Sequence, residues 1–250
     1  MLGALVFILG LIVGSFLNVV IYRTYRGIGF IKGSSYCPHC KHRLIFLDLF
    51  PLLSFIALRA KCRWCGKPIS WQYPLVEFAA AMSFLFLYLN FGLTLAFATY
   101  ALFTVFLIII FVQDFRYSVI LDQVSIPGIV VAIILSITVL HIPPLAMLIG
   151  MGGGAAFFLL QYLISRGKWI GGGDIRLGAL MGAMLGWKFL VVALFLAYFA
   201  GSIVGIVLIL TRKKGWKSHV PLGTFLTVTT FVTFFFGQSL IDWYSRGWFY

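Results

Sequence analysis

Two carboxylates at the ends of apolar segments have the residue type and position for acid–base chemistry. Asp174 follows the run Gly171-Gly172-Gly173 at the start of one apolar segment. Asp114 directly follows the end of another, at residues 103–113. The whole chain holds only six acidic residues, so carboxylates in these positions need an explanation. Two neighbouring carboxylates share one proton. The ionised member can then activate a water that attacks a peptide carbonyl, while the protonated member donates to the developing oxyanion. The pair predicts aspartyl protease chemistry.

The acidic residues also have structural interpretations. Asp174 could cap the helix that it begins, although a cap needs no three glycines beside it. Asp114 lies beside Arg116 and could be a solvated charge at the membrane interface. We interpret Asp122 as the start of a helix rather than as a catalyst. We place Glu77 in the first turn of the second membrane helix, where the helix dipole favours a negative charge.

The elements that hold these residues are those of a membrane protein. The chain is 62% hydrophobic and only 10% charged, whereas soluble domains are about 25% charged. This composition excludes a soluble enzyme. The net charge of +13 does not indicate a nucleic-acid partner, because the cytoplasmic loops of membrane proteins carry an excess of Lys and Arg.

Apolar segments long enough to act as membrane helices recur along the chain. About 20 residues cross a bilayer, and we predict an all-α polytopic fold with eight transmembrane helices. The segments occupy residues 2–22, 74–90, 93–113, 124–141, 144–165, 174–187, 188–211 and 221–240. The sixth and seventh are separate only if the chain turns at Gly186-Trp187-Lys188.

The distribution of positive charge predicts the orientation. No basic residue precedes the first apolar segment, so we expect this segment to be a membrane helix rather than a cleavable signal peptide, with its amino terminus outside. With alternating helices, seventeen of the nineteen basic residues lie inside, and only Lys188 and Arg246 lie outside. Both termini are then outside. Asp114, Asp122 and Asp174 fall at the cytoplasmic ends of helices three, four and six, where they can form one cluster.

Two glycine runs receive different interpretations. Irregular backbone near the membrane is tolerated where it is buried or lines a wet cavity, so we interpret 171–173 as a loop that enters such a cavity. Gly150 and the run 152–154 lie in the middle of a predicted helix, where small residues permit close helix packing.

The loop at 23–73 contains every cysteine of the chain. Two C-x2-C pairs are separated by twenty-one residues, and a tetrahedral zinc ion accepts four thiolates at this kind of spacing. A cytoplasmic loop is in a reducing compartment, which argues against disulfides; a redox pair or unrelated buried thiols are the alternatives. We expect His39 and His42 to be exposed loop residues. The predicted zinc ligands are Cys37, Cys40, Cys62 and Cys65.

An ordered set of motifs resembles one known family over essentially the full length. The chain is similar to the bacterial type IV prepilin peptidases, the leader peptidase/N-methyltransferase family of GxGD membrane aspartyl proteases. A lone GxGD would be a weak signal, but an ordered set is highly specific. The matching stretches are 14–23 (GSFLNVVIYR), 37–40 (CPHC), 51–54 (PLLS), 62–65 (CRWC), 69–70 (IS), 73–77 (YPLVE), 171–174 with Leu177 (GGGD), and 220–223 (VPLG).

The resemblance implies roles for these regions. Asp114 and Asp174 become the catalytic aspartates of a seven-helix core at 74–250, which follows a first transmembrane helix at 1–22. The loop at 23–73 becomes a zinc-binding region associated with methyl transfer, with Glu77 as a residue that binds the methyl donor. The implied location is the bacterial cytoplasmic (inner) membrane, with the active site facing the cytoplasm.

The resemblance also implies the partners. The substrates would be prepilins or pseudopilins, which carry a short basic leader, a glycine before the cut, and then a hydrophobic helix. The new amino terminus would be methylated from S-adenosylmethionine. The pilin-like proteins could serve pili, secretion or DNA uptake, and the oligomeric state is left open. The lipid bilayer is the remaining expected partner.

The chain departs from the family pattern at two positions. Arg176 stands where the family usually has Lys, which preserves the charge but not the geometry. Ile120-Leu121-Asp122 stands where the family has Ile-Pro-Asp, so the turn after the first aspartate lacks its proline. Neither change removes a catalytic group, but both leave open the rigidity of this turn and the role of Asp122.

Other functions remain as alternatives. A transporter also places carboxylates near broken helices, but it predicts acidic groups near the midplane and an internal repeat. A zinc-loop scaffold would tolerate loss of either aspartate, and a related GxGD protease without methyltransferase activity would not need the four cysteines. Within the loop, Trp64, Trp71 and Tyr73 could stack on adenine or face the sulfonium of the methyl donor. Alternatively, they only seat the loop on anionic lipid headgroups.

Overall fold

The computed structural model is helical, and it describes residues 1–29, 33–211 and 221–248. Val220, the first residue of the last motif quoted above, lies outside this range. A 3-10 helix covers Phe46–Leu49. The α-helices are α1 Leu2–Tyr25, α2 Leu53–Ala57, α3 Gln72–Phe91, α4 Leu95–Tyr117, α5 Asp122–Thr138, α6 Pro144–Ser165, α7 Gly172–Leu210 and α8 Leu222–Trp248. Six of them are long and apolar enough to cross a membrane, and α5 is a shorter apolar helix. The chain is a multi-pass membrane protein.

Helix α7 turns back on itself at Gly186. Its 39 residues would extend for about 58 Å as one straight helix, roughly twice the hydrocarbon thickness of a bilayer. Gly186 adopts φ 67° and ψ 176°, a backbone conformation open mainly to glycine. The chain therefore forms two arms, 172–185 and 187–210.

Contacts with α6 show that the two arms run in opposite directions. In the first arm, Gly178 lies against Gly154 and Gly182 lies against Gly150, so the α6 numbers fall as α7 advances. In the second arm, Leu190 lies near Gly154 and Tyr198 packs on Phe157, so the α6 numbers rise. With the arms counted separately, the described residues contain the eight apolar helical segments that the sequence predicts.

The chain divides into two compact units, Met1–Ile109 and Ile110–Tyr250. In the first unit, α1 packs closely against α3. A Cβ atom on Gly10 would lie 2.5 Å from Ala81 Cα, and one on Gly14 would lie 2.6 Å from Glu77 Cα. Asn18, which belongs to the first quoted motif, is buried and donates to the Tyr73 carbonyl over 3.1 Å. Small residues thus allow contact, and Asn18 sets the register at the start of α3.

In the second unit, two glycines on each helix bring α6 against the first arm of α7. A Cβ atom on Gly154 would lie 2.3 Å from the Gly178 carbonyl oxygen, and one on Gly182 would lie 2.2 Å from the Gly150 carbonyl carbon. Close packing was predicted for the whole glycine run, but Gly152 and Gly153 face open space. The prediction is therefore right for Gly150 and Gly154 only.

Candidate active site

Asp174 is the third residue of α7, with Gly171 as the helix cap. The predicted loop at 171–173 is therefore wrong beyond Gly171, because Gly172 and Gly173 already belong to the helix. The Asp174 side chain is buried, and its Oδ2 atom accepts the Gly171 N–H over 3.0 Å. Asp174 is therefore not the N-cap residue itself, but from the third helical position its carboxylate accepts the N–H of the cap residue, a contact that also fixes the orientation of the carboxylate.

Only one of the two helical glycines is required by its surroundings. A Cβ atom on Gly173 would lie 2.7 Å from Ile120 Cβ and 3.2 Å from the Ile120 carbonyl oxygen. Gly172 has nothing within 4 Å of such an atom. The connection between α4 and α5, which contains Ile120, therefore approaches the start of α7 at Gly173 itself.

Asp114 lies in the last turn of α4, and the start of α8 holds its carboxylate. Its Oδ2 atom accepts the backbone N–H of Thr224 over 2.7 Å and the Thr224 hydroxyl over 3.1 Å. Both residues are buried. A Cβ atom on Gly223 would lie 2.9 Å from the same oxygen and 3.1 Å from Ile120 Cδ1. Gly223 and Thr224 therefore form a close cradle for one oxygen of Asp114.

These contacts bring the two predicted catalytic residues to one place. Ile120 lies against Gly173, next to Asp174, and also within reach of Gly223, which contacts Asp114. The carboxylates of Asp114 and Asp174 are close enough to interact electrostatically. Two buried carboxylates with oriented oxygens at the ends of apolar helices can share a proton and polarise a water molecule.

Asp122 has a different environment. It is the first residue of α5, as the sequence predicts, but Leu121 is the cap residue and no side-chain cap bond forms. Its side chain is 52% exposed and pairs with Arg176 in α7. This ion pair joins Arg176, one of the two departures from the family pattern, to the residue that follows the other departure, Leu121. It engages Asp122 in an exposed bridge, unlike the buried pair.

Two neighbours of the carboxylates were missed in the sequence. Thr224 directly follows the last quoted motif, and that adjacency was the only available signal. Tyr198 interacts electrostatically with Asp174, and its hydroxyl donates to Gln161 Oε1 over 3.0 Å. Tyr198 and Asp174 each lie twelve residues from Gly186, so the turn of α7 places them at the same level.

The four cysteines form one cluster. Their sulfur atoms all lie within 4.8 Å of one another, and Cys37 Sγ is 3.9 Å from Cys65 Sγ. Zinc–sulfur bonds of about 2.3 Å in a tetrahedron place sulfur atoms about 3.8 Å apart, so this arrangement fits a metal with little adjustment. The cluster can therefore bind a metal ion through four thiolates.

Two equivalent turns present the cysteines. The N–H of Lys41 donates to the Cys37 carbonyl over 2.9 Å, and the N–H of Gly66 donates to the Cys62 carbonyl over 3.0 Å. Lys41 and Gly66 occupy the same left-handed position, with φ 61° and 68°. Backbone N–H groups of Cys65 and Trp64 favour the Cys62 thiolate and lower the pKa of this thiol to about 7. A thiolate is the form that binds metal.

The other polar and aromatic loop residues lie around this cluster. His39 and His42 are exposed, as predicted. The His42 ring lies against Trp64, with a distance of 3.9 Å between ring centroids. Trp71 packs on Phe55 at 4.9 Å and is 67% exposed. One face of Trp64 is thus already covered by His42, whereas most of Trp71 is open.

Glu77 does not lie where the sequence placed it. Helix α3 begins at Gln72, two residues before the predicted start, so Glu77 is the sixth residue and lies in the second turn. The prediction of a first-turn position is therefore wrong. Its side chain is buried, and Oε2 accepts the N–H of Leu52 over 2.9 Å. Glu77 thus ties the cysteine loop to a membrane helix.

Comparison with known proteins links both units to one family. The model of the bacterial peptidase A24 N-terminal domain matches residues 8–91, which include the four cysteines and Glu77. The model of the type IV leader peptidase family matches residues 101–206, which include Asp114 and Asp174. No solved structure matches the chain.

Three relatives are each described as a prepilin leader peptidase/N-methyltransferase. The protein of Bacillus subtilis (strain 168) is 31% identical over 97% of this chain and 98% of its own length. That of Aeromonas hydrophila is 32% identical over 96% of this chain and 93% of its own length. That of Myxococcus xanthus (strain DK1622) is 34% identical over 83% of this chain and 63% of its own length.

Proposed function

The chain belongs to the type IV leader peptidase family, and we propose that it removes the leader of prepilins and methylates the new amino terminus. The observation that carries the proposal is the buried pair of Asp114 and Asp174, each with an oriented carboxylate oxygen. A transporter is not favoured, because the relatives that match over nearly the whole chain are peptidases by name.

In the proposed reaction, the two aspartates hold one proton and one water molecule between them. The ionised carboxylate takes a proton from the water as its oxygen attacks the scissile carbonyl, and the protonated carboxylic acid donates to the developing oxyanion. When the tetrahedral intermediate collapses, the aspartate that took the water proton passes it to the leaving nitrogen, and the other aspartate regains a proton from a hydroxyl of the intermediate. The peptide bond breaks, the amino terminus of the mature chain is released, and the pair again holds one proton. Gly171, Gly223 and Thr224 keep the carboxylates in place throughout.

The substrates are prepilins or pseudopilins, whose apolar amino-terminal helix suits a site at the ends of membrane helices. We place the site at the cytoplasmic face of the bacterial inner membrane, with both termini outside. The asymmetry of Lys and Arg supports this orientation. The site then receives the basic leader from the side on which prepilins are made.

The four-cysteine cluster is proposed to bind one structural zinc ion. Cys37, Cys40, Cys62 and Cys65 would complete a tetrahedral shell, and such a closed shell leaves no open position for water. Zinc would supply folding energy to the loop rather than a reactive group. The spacing of the sulfur atoms supports zinc, whose preferred ligands include thiolates.

Methyl transfer is assigned to the loop and the start of α3, with S-adenosylmethionine as the donor. We propose that Glu77 serves this activity by holding the Leu52 N–H, and with it the loop, in position. Trp71 offers an open aromatic surface to the cationic donor. The predicted topology places this region on the same membrane face as the aspartates.

One experiment tests both activities. Purified full-length protein in lipid nanodiscs is incubated with a prepilin peptide, with and without S-adenosylmethionine, and both products are weighed by mass spectrometry. We expect a cut before the apolar segment in either condition, and a gain of one methyl group only with the donor. An intact peptide would contradict the peptidase function, and a cut but unmethylated product would reduce the protein to a peptidase alone.

Two substitutions of Glu77 test its positioning role. Glu77→Gln keeps an oxygen that can accept the Leu52 N–H, whereas Glu77→Leu removes it. We expect methylation to persist in the Gln variant and to fall sharply in the Leu variant, with cleavage near normal in both. Equal loss of methylation in the two variants would instead indicate that the negative charge contacts the donor.

A further inference from the structure

The loop between α1 and α3 exposes apolar side chains beside the four-cysteine cluster. They come from the 3-10 helix and from α2, and we call them the apolar patch. Their exposed fractions are 76% for Phe46, 62% for Leu47, 64% for Leu53 and 71% for Ile56. None of these residues belongs to a membrane-spanning helix, so their exposure is not accounted for by the transmembrane segments.

The backbone that carries the apolar patch is tied at several points. Asp48 accepts the Ile45 N–H over 3.3 Å, and its other oxygen accepts Arg63 Nε over 2.8 Å. Its side chain is only 3% exposed. The Leu52 N–H donates to Glu77. The patch therefore faces outward because its backbone is fixed, rather than because the segment lacks structure.

The same ties set the height of the patch relative to the membrane. Glu77, which holds Leu52, is in the second turn of the membrane helix α3. Phe55 is buried against Trp71, the residue that immediately precedes α3. Leu53 and Ile56 thus adjoin two residues that are anchored at the end of a membrane helix, which is the level of the lipid headgroups.

Basic residues flank the apolar patch on both sides. Lys41 and Arg43 precede it, and Arg59 and Lys61 follow it. The N–H of Arg59 donates to the Ile56 carbonyl over 2.9 Å, so the turn keeps this cation next to the patch. Within the part of the chain that the structure describes, Arg59 and Lys61 form no ion pair.

We propose that the apolar patch inserts between the headgroups of the membrane that the helices cross, with Arg59 and Lys61 on anionic phosphates. Exposed Phe, Leu and Ile beside Lys and Arg are the combination that binds an anionic lipid interface. The continuity with α3 selects this occupant, because lipid is already present at that level. The four-cysteine loop is then attached to the bilayer in two ways, through the membrane helices α1 and α3 that flank it and through the apolar patch. This inference does not depend on either catalytic activity.

Photocrosslinking to lipid tests the proposal on the full chain. p-Benzoylphenylalanine is placed at Phe46 or Ile56, and the protein is reconstituted in nanodiscs of phosphatidylglycerol or of phosphatidylcholine. After illumination, the intact mass reports what each position touches. Ile12, which is 56% exposed on α1, carries the same probe as the positive control for lipid contact.

We expect adducts of one phospholipid at both patch positions, several-fold more abundant in phosphatidylglycerol than in phosphatidylcholine. Arg59→Ser with Lys61→Ser should reduce that difference. Lys188→Ser with Arg246→Ser, a matched loss of two charges in α7 and α8, should not. Patch positions without lipid adducts, in discs where position 12 reacts, would overturn the proposal. Adducts of twice the chain mass would assign the patch to a second copy, and equal yields in both lipids would refute the anionic preference.

Discussion

A single methyl group at Gly223 should disable the site while leaving the fold intact. In Gly223→Ala, the new Cβ would lie 2.9 Å from Asp114 Oδ2 and 3.0 Å from Asp114 Cγ. An ordinary nonbonded contact is about 3.5 Å, so the carboxylate must move by about 0.6 Å. That movement also strains the two bonds from Thr224 to the same oxygen.

The effects on rate and on stability should differ strongly. A misplacement of about 1 Å in a catalytic arrangement can cost about 100-fold in rate, so we expect a loss of roughly 10- to 100-fold in kcat. The displaced atom is the end of a side chain, and an off-rotamer shift costs about 0.5–1.5 kcal/mol. Replacing glycine by alanine in a helix raises the free energy of unfolding by about 0.5–1 kcal/mol, which offsets part of this cost. The free energy of unfolding should therefore change by no more than about 1 kcal/mol.

Two matched glycine substitutions make the experiment selective. Gly153→Ala adds the same methyl group in open space, so it should leave kcat unchanged. Gly154→Ala places a Cβ 2.3 Å from the backbone oxygen of Gly178, which cannot rotate away, so it should lower stability. Cleavage of a prepilin peptide gives kcat, and thermal unfolding in the same detergent gives stability.

The reasoning is refuted by either of two results. If Gly223→Ala cuts at the normal rate, the cradle at the start of α8 does not control Asp114, or Asp114 is not catalytic. If Gly223→Ala loses activity and stability together, as expected for Gly154→Ala, the effect is global rather than local.

Three further predictions concern the acidic residues and the metal. Asp114→Asn and Asp174→Asn should each lower the cleavage rate by at least about 100-fold, because general acid–base catalysis is lost. The purified variants should still unfold at near-normal temperatures. Near-normal cleavage by either variant would contradict the assignment of these two residues as the catalytic pair. Asp122→Asn should be much milder, because an exposed ion pair contributes only about 0–1 kcal/mol, and a loss as severe as that of Asp114→Asn would make Asp122 a candidate partner of Asp174. Elemental analysis should find one zinc per chain, and the double variant Cys62→Ser with Cys65→Ser should lose it. The zinc content should also fall at low pH, because protons compete with the metal for the thiolates. Zinc retained in full by the double variant would exclude these ligands.

Local composition was enough to predict several features of this protein. Apolar segments long enough to cross a bilayer can be recognised without knowing their neighbours, because lipid requires the same property along each segment. The turn at Gly186 was predictable for a related reason, since an apolar run of nearly forty residues exceeds the membrane thickness. The two C-x2-C pairs predicted the sulfur cluster because each pair forms its own tight turn, at Lys41 and at Gly66.

Contacts between residues far apart in the chain became evident only from the packing of the helices. Thr224 holds Asp114 from 110 residues away, and its place directly after the motif at 220–223 is the only local signal that distinguishes it from the other threonines of α8. The interior position of Glu77 became evident only when α3 proved to begin at Gln72, against α1. Such contacts depend on the register between helices, and the register is set by close approaches such as that of Gly154 to Gly178. A methyl group at one glycine can shift this register, whereas hydrophobicity along each helix stays the same.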